Sequence, residues 1–185
     1  GSICQLSYIL ADKDKTEGHN YFFSVDYIER AATGIHGFTA EQLYILSDGK
    51  TFEEQYHSFR ADFEEAEYLV AHNFVFDMLF MMAEYRKAGD VFRYKNKFCT
   101  MKHFQPICKF RNNRGLYKYP RLDELLQYYN IRPADVQTCT EKFYGTTSAA
   151  AHDARYDTAA LYCLLKAASA EPAAKLDFLE FGKYC

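Results

Sequence analysis

Apolar and polar residues near the start of the chain follow a pattern that predicts two strands. The segment 3–10 is rich in apolar residues, the segment 12–20 is polar, and the segment 21–27 is again apolar and aromatic. Two such runs separated by polar residues are typical of a β-hairpin. We therefore expect a hairpin in the first 27 residues.

Two helices with N-terminal caps are predicted next. Thr39 is suited to cap a short helix at 40–46, and Thr51 to cap a longer one. The longer helix is indicated by four aromatic residues that recur at helical spacing. These residues are Phe52, Tyr56, Phe59 and Phe63.

The rest of the chain alternates short strands with helices. The predicted elements are a strand at 68–71, a helix at 76–87, a strand at 97–100, a basic loop as far as Pro120, a helix that presents Leu122, Leu125, Leu126 and Tyr129, and a helix at 153–168. Early strands followed by alternating helices and strands indicate an α/β domain with a mixed sheet.

The composition predicts one globular domain. The 185 residues are 49% hydrophobic and 25% charged, which is the usual balance of a folded protein. No apolar run approaches the ~20 residues that a membrane-spanning helix needs, so we expect no membrane partner. The six cysteines contain no Cys-x-x-Cys pair, which argues against a zinc module or a disulfide scaffold and favours a cytoplasmic location.

The net charge of −3 conceals a basic segment between residues 86 and 121. Eleven basic residues lie there against one acid, Asp90, and aromatic rings are interleaved with them. Cations neutralise phosphates and rings stack on bases, so this composition suits single-stranded nucleic acid. From charge alone, a solvated loop with a few core aromatics is an equal alternative. The basic residues are Arg86, Lys87, Arg93, Lys95, Lys97, Lys102, Lys109, Arg111, Arg114, Lys118 and Arg121.

Two aspartates interrupt apolar patterns. Asp77 is the one polar residue in the segment 74–83, and Asp157 shares a helical face with Leu161 and Leu164. An ionised carboxylate on a buried face is costly unless it is paired or binds a metal. His152 lies five residues before Asp157 and could accept a proton near neutral pH. The alternative is that each aspartate caps a helix or pairs with an arginine such as Arg155.

Two short motifs resemble those of a known enzyme superfamily. Residues 71–77, Ala-His-Asn-Phe-Val-Phe-Asp, resemble the second motif of the DEDD superfamily of 3′-to-5′ exonucleases. Residues 151–157, Ala-His-Asp-Ala-Arg-Tyr-Asp, resemble the third motif of its histidine subtype. The segments 35–39, 98–102 and 118–122 are similar to flanking segments of the branches that resemble exonuclease X and the proofreading (epsilon) subunit of DNA polymerase III.

This resemblance implies a fold and an activity. The fold would be a ribonuclease H-like mixed sheet flanked by helices, with the exonuclease domain at 1–170 and the tail at 171–185 as the start of a small appended module. The activity would be release of nucleoside monophosphates from single-stranded or frayed 3′ ends, of DNA rather than RNA. A DNA polymerase is a candidate partner.

The resemblance also assigns roles to individual residues. Asp77 and Asp157 would bind two Mg²⁺ or Mn²⁺ ions, and His152 would be the general base that activates the attacking water. Oxygen ligands suit these hard cations. Four further residues would position the terminal nucleotide, and these are His36, Phe38, Asn73 and Phe76.

One motif of the family has no counterpart in the sequence. The family's first motif is Asp-x-Glu on the central first strand, and it is absent from the sequence. Residues 3–10 align with the second strand of the fold, so the first strand would precede them. We expect it upstream of Gly1. Alternatively, a strand that contains Asp177 and Glu180 could substitute for it, or a partner chain could donate the strand.

Because of this gap, an alternative function stays open. It is a nucleic-acid-binding domain of the same fold that does not cleave. A soluble interaction domain with an incidental basic loop would explain the charge but not the two aspartates.

Overall fold

The computed structural model describes residues 1–28, 33–34 and 37–179. Its strands are β1 (Gln5–Ala11), β2 (Thr16–Phe22), β3 (Tyr68–Ala71) and β4 (Asn96–Cys99). Its α-helices are α1 (Ala40–Leu46), α2 (Phe52–Gln55), α3 (Arg60–Glu65), α4 (Phe74–Lys87), α5 (Thr100–Cys108), α6 (Leu122–Tyr128), α7 (Pro133–Tyr144) and α8 (Ala154–Ser169).

The predicted hairpin is present, but its second strand begins earlier than the apolar pattern indicates. Strands β1 and β2 are antiparallel, with Ala11 opposite Thr16. The carboxylate of Asp12 accepts hydrogen bonds from the backbone amides of Asp14 and Lys15, at 2.7 and 2.9 Å. Such a turn reverses the chain within a few residues, so the polar residues from Thr16 onward pair in the strand and do not form a long loop.

The two Thr caps form as predicted, but the second helix is interrupted. Thr39 and Thr51 each make a capping box with the residue three positions later. After α2, the chain tightens into a 3₁₀ turn (Tyr56–Ser58) before α3. The Ser58 hydroxyl donates to the carbonyl of Gln55 at 2.6 Å, and such local bonds compete with helix continuation.

The second half of the domain contains two helices that the sequence pattern did not reveal. Helix α5 follows β4 directly and begins at Thr100, which was predicted as the end of a strand, so the predicted loop from 101 to Pro120 is wrong in its first eight residues. Pro106 lies inside α5, and a proline in a sequence argues against a helix at its position. Helix α7 buries only Val136 and Thr140, and its sequence was not predicted to be helical.

The strands form two separate two-stranded sheets in the described residues. Strands β3 and β4 are parallel and are connected through α4, whereas β1 pairs only with β2. The structure is therefore mixed α/β with small sheets, and the expected single sheet is not seen within the described ranges.

Helix α8 lies against the hairpin. The Thr158 hydroxyl donates to the carbonyl of Ser7 at 3.1 Å, and the Tyr144 hydroxyl on α7 donates to the carbonyl of Tyr8 at 3.2 Å. These bonds anchor the α7–α8 pair to β1.

Two main apolar clusters hold the domain together. One is aromatic and joins the hairpin to α2 and α4, with Phe23, Phe59 and Tyr85 buried. The other surrounds α8 and includes Leu164, Phe104 and Leu176. Residues 177–179 form a 3₁₀ turn, so the substitute strand near Asp177 is not seen in the described residues; Glu180 lies outside them.

Candidate active site

Asp77 lies in the first turn of α4, and its surroundings differ from the sequence prediction. The apolar residues around it, Val75, Phe76, Leu79 and Met82, are exposed, so this face of α4 is not buried. Asp77 itself is open to solvent, yet the surrounding protein displaces enough water to raise its pKa to about 6. The Asp77 carboxylate is therefore accessible from solvent, although burial disfavours its charged form.

The loop before α4 positions two further predicted residues. Asn73 precedes the helix in the left-handed conformation (φ 66°) and is exposed. The preceding residue is His72, whose Nδ1 shares a hydrogen bond with the Thr100 hydroxyl at 3.0 Å. This bond connects the loop to α5. The exposed Phe76 ring packs on Phe80 at a centroid distance of 5.0 Å.

Asp157 and His152 come together at the start of α8. His152 has a left-handed backbone (φ 74°), and its amide donates to Asp157 Oδ1 at 3.3 Å. Burial raises the pKa of the Asp157 carboxyl, although the His152 amide and ring lower it in part. The exposed His152 side chain therefore lies next to a partly desolvated carboxylate.

The ion pair that Arg155 could have formed with Asp157 is formed with Asp153 instead. Arg155 donates to Asp153 from Nη2 at 2.7 Å and from Nε at 3.0 Å. Arg155 is therefore the partner of Asp153. In the described residues, neither Asp77 nor Asp157 has an ion-pair partner at lysine or arginine.

Asp153 is a positioning residue that sequence reasoning missed. It caps α8 by accepting from the Arg155 amide at 2.9 Å, and it accepts from Gln5 Nε2 on β1 at 3.0 Å. Gln5 in turn accepts from the Ala154 amide at 3.1 Å. An aspartate directly before a helix is a standard capping signal, but the link to Gln5 spans 148 residues.

Phe38 is linked to the first turn of α8 through the Phe22 ring. Its ring packs on Phe22 at 5.3 Å, and the Arg155 guanidinium lies 5.4 Å from the Phe22 ring. Phe38 is thus connected through Phe22 to the residues next to His152. His36 lies outside the described residues.

The structure assembles two groups of predicted site residues. His152 and Asp157 form one, to which Phe38 is linked through Phe22 and Arg155. Asn73, Phe76 and Asp77 at the start of α4 form the other. In the described residues, no hydrogen bond joins these two groups, and the pKa of each carboxyl is raised by burial. Within the described residues, no cluster of three or more His, Cys, Asp or Glu side chains is present.

Four of the eleven basic residues in the segment 86–121 form ion pairs, and one of these is Lys87 with Glu84 at 2.9 Å. Lys118 pairs with Glu124, Arg121 pairs with Asp123 at 2.7 Å, and Arg93 contacts Glu64 at 3.7 Å. Other basic residues have no ion pair within the part of the chain that the structure describes. These are Arg86, Lys95, Lys97, Lys102, Lys109, Arg111 and Arg114.

The aromatic residues of this segment divide into core and surface. Phe98 and Phe104 are buried, whereas Tyr117 and Tyr119 are about half exposed. Arg111 lies over the Tyr117 ring at 4.5 Å from its centroid. A cation and exposed rings therefore remain on the surface of this segment after folding.

A search with protein-family models found no match for this chain, and a search of curated proteins found no significant match. Among the described helices, none has the length and apolar character needed to cross a membrane.

Proposed function

We propose that the chain is a metal-dependent 3′-to-5′ exonuclease domain with a ribonuclease H-like fold. It acts on single-stranded or frayed 3′ ends, of DNA in preference to RNA. The observation that carries the proposal is Asp157, a partly buried carboxylate without a lysine or arginine partner in the described residues, directly beside His152. The similarity of 71–77 and 151–157 to exonuclease motifs supports it.

The chemistry of the two carboxylates fits Mg²⁺ or Mn²⁺. Both are oxygen ligands from which protein atoms have removed part of the hydration, and a divalent ion would offset that cost. Asp77 and Asp157 would each hold one ion. Such ions supply charge neutralisation at the phosphate and activation of water.

The other residues would bind the nucleic acid and move the proton. His152 is exposed and able to take a proton from water. Asn73 and Phe76 flank Asp77 and would contact the terminal nucleotide, and Phe38 and His36 would lie near its sugar and base. Tyr117 and Tyr119 offer exposed rings on which the bases of a single strand can stack.

A second candidate function is favoured by one observation. The described residues hold no cluster of three metal-binding side chains. A domain that binds a 3′ end without cleaving it would need only the basic and aromatic surface.

A nuclease assay with a parallel binding assay tests both functions. A 3′-labelled single-stranded oligonucleotide is incubated with the chain and Mg²⁺ or Mn²⁺, and binding is followed by fluorescence anisotropy. Under the first function, mononucleotides are released, and Asp77→Asn or Asp157→Asn abolishes release while binding persists. His152→Ala lowers the rate by roughly 10²–10⁴-fold.

Asp14→Asn is the matched control, because Asp14 lies exposed in the hairpin turn. This variant should keep full activity. Binding without release would favour the second function. Unchanged turnover in Asp77→Asn or Asp157→Asn would exclude the proposed metal ligands, and absence of both binding and release would exclude both functions.

A further inference from the structure

Two cysteines lie where α7 packs against α8. Cys139, on α7, packs against the buried cluster that contains Ala159 and Ala160 of α8, and Cys163 lies one helical turn after Ala159 on the same helix. Both are free thiols. They are 24 residues apart in sequence, and packing of the two helices brings them together.

A second contact fixes the position of the Cys163 sulfur. It lies 4.0 Å from the carbonyl oxygen of Asp135. Asp135 lies one helical turn before Cys139, so its carbonyl oxygen accepts the helical hydrogen bond from the Cys139 amide in α7. The Cys163 sulfur is therefore held against the backbone turn that carries Cys139.

We propose that Cys139 and Cys163 form a reversible disulfide when the protein meets hydrogen peroxide. This modification site is separate from the proposed nuclease function and does not rest on it. The two sulfurs differ in access, because Cys139 is half-buried and Cys163 is buried. Cys139 is thus the thiol that a small oxidant reaches first.

The charges around the pair favour Cys139 as the nucleophile. The hydrogen bond from Cys163 lowers the pKa of Cys139 to about 7 against the effect of burial, with help from Lys142 and Lys166. Asp135 opposes this shift. The hydrogen bond to Cys139, together with burial, raises the pKa of Cys163. The thiolate attacks faster than the thiol.

The reaction proceeds in two balanced steps. The Cys139 thiolate attacks one peroxide oxygen, an S–O bond forms, the O–O bond breaks, and the departing hydroxide takes a proton to become water. The Cys163 sulfur then attacks the resulting sulfenic acid, an S–S bond forms, and the S–O bond breaks. The proton of Cys163 leaves on the second water. Two thiols lose two electrons, and one peroxide becomes two waters.

The disulfide would close a loop that contains the start of α8. His152, Asp153 and Asp157 all lie between the two cysteines. Joining α7 to α8 by a covalent bond restricts the unfolded chain and stabilises the fold. We expect the midpoint of thermal unfolding to rise by about 5–15 °C on oxidation.

Peptide mapping and thermal unfolding test the proposal. The chain is treated with hydrogen peroxide, remaining thiols are alkylated, and the protein is digested with trypsin. The expected product is a linked pair of peptides, 122–142 and 156–166, that a reductant separates. Cys108 is the internal reference, since burial raises its pKa to about 11. Cys139 should react roughly 100-fold faster than Cys108 near pH 7.

Variants separate the disulfide from other oxidation products. Cys163→Ser should stop at sulfenic or sulfinic acid on Cys139 and lose the rise in midpoint, whereas Cys108→Ser should behave like the parent chain. Three outcomes would each overturn the proposal. They are the absence of the linked peptides, equal reactivity of Cys139 and Cys108, or a rise in midpoint that persists in Cys163→Ser.

Discussion

Replacing Asp153 by alanine should destabilise the domain more than replacing an exposed aspartate. The change removes the cap of α8 and leaves the Arg155 guanidinium without its carboxylate. It also removes the acceptor of the Gln5 hydrogen bond, which links β1 to α8. The side chains of Asp153 and Arg155 are 11% and 19% exposed, so water can replace the lost contacts only in part.

The magnitude follows from these losses. An N-cap contributes about 1 kcal/mol, and an uncompensated buried charge costs about 3–5 kcal/mol. Because Arg155 retains some solvent contact, we reduce the cost of its unpaired charge to about 2 kcal/mol. With the loss of the cap, the total is near 3 kcal/mol. For a domain of this size, the midpoint of thermal unfolding would fall by roughly 6–12 °C.

Urea denaturation followed by circular dichroism measures this loss. Asp153→Asn serves as a second variant, because asparagine caps helices as well as aspartate but carries no charge; we expect an intermediate loss of about 1–2 kcal/mol. Asp14→Ala is the control, and its free energy of unfolding should change by less than ~0.5 kcal/mol. A loss below about 1 kcal/mol in Asp153→Ala would refute the view that this cluster anchors α8.

Two other measurements probe the same fold. Hydrogen bonds from Arg155 and Gln5 outweigh burial and hold the pKa of Asp153 below its ordinary value. The stabilisation that ionised Asp153 provides is therefore complete above the pKa of the unfolded chain and is lost as the pH falls through the lower pKa of the folded chain. The parent chain should lose more stability between about pH 5 and pH 2 than the Asp153→Asn variant. Gly18→Ala should cost about 1–3 kcal/mol in urea denaturation, because the new Cβ would lie 2.5 Å from the carbonyl oxygen of Phe143, whereas Gly34→Ala, with nothing within 4 Å, should not show this clash.

Much of the local structure and part of the site could be predicted from the sequence. The Thr39 cap and the helix after it depend on residues three or four positions apart, and the pattern records those directly. The pairing of His152 with Asp157 is similar, because five residues separate them. Contacts between residues a few positions apart in the chain can therefore be predicted from the sequence.

Contacts between distant segments were decided by the tertiary structure alone. Asp153 binds Gln5 across 148 positions, and this contact joins the Asp153–Arg155 pair to β1. The open face of α4 around Asp77 and the division of the strands into two sheets likewise depend on packing. So does the position of the Cys163 sulfur, which lies beside the turn of α7 that carries Cys139. A periodic pattern shows which residues share a face of a helix, but only the packed chain determines what covers that face.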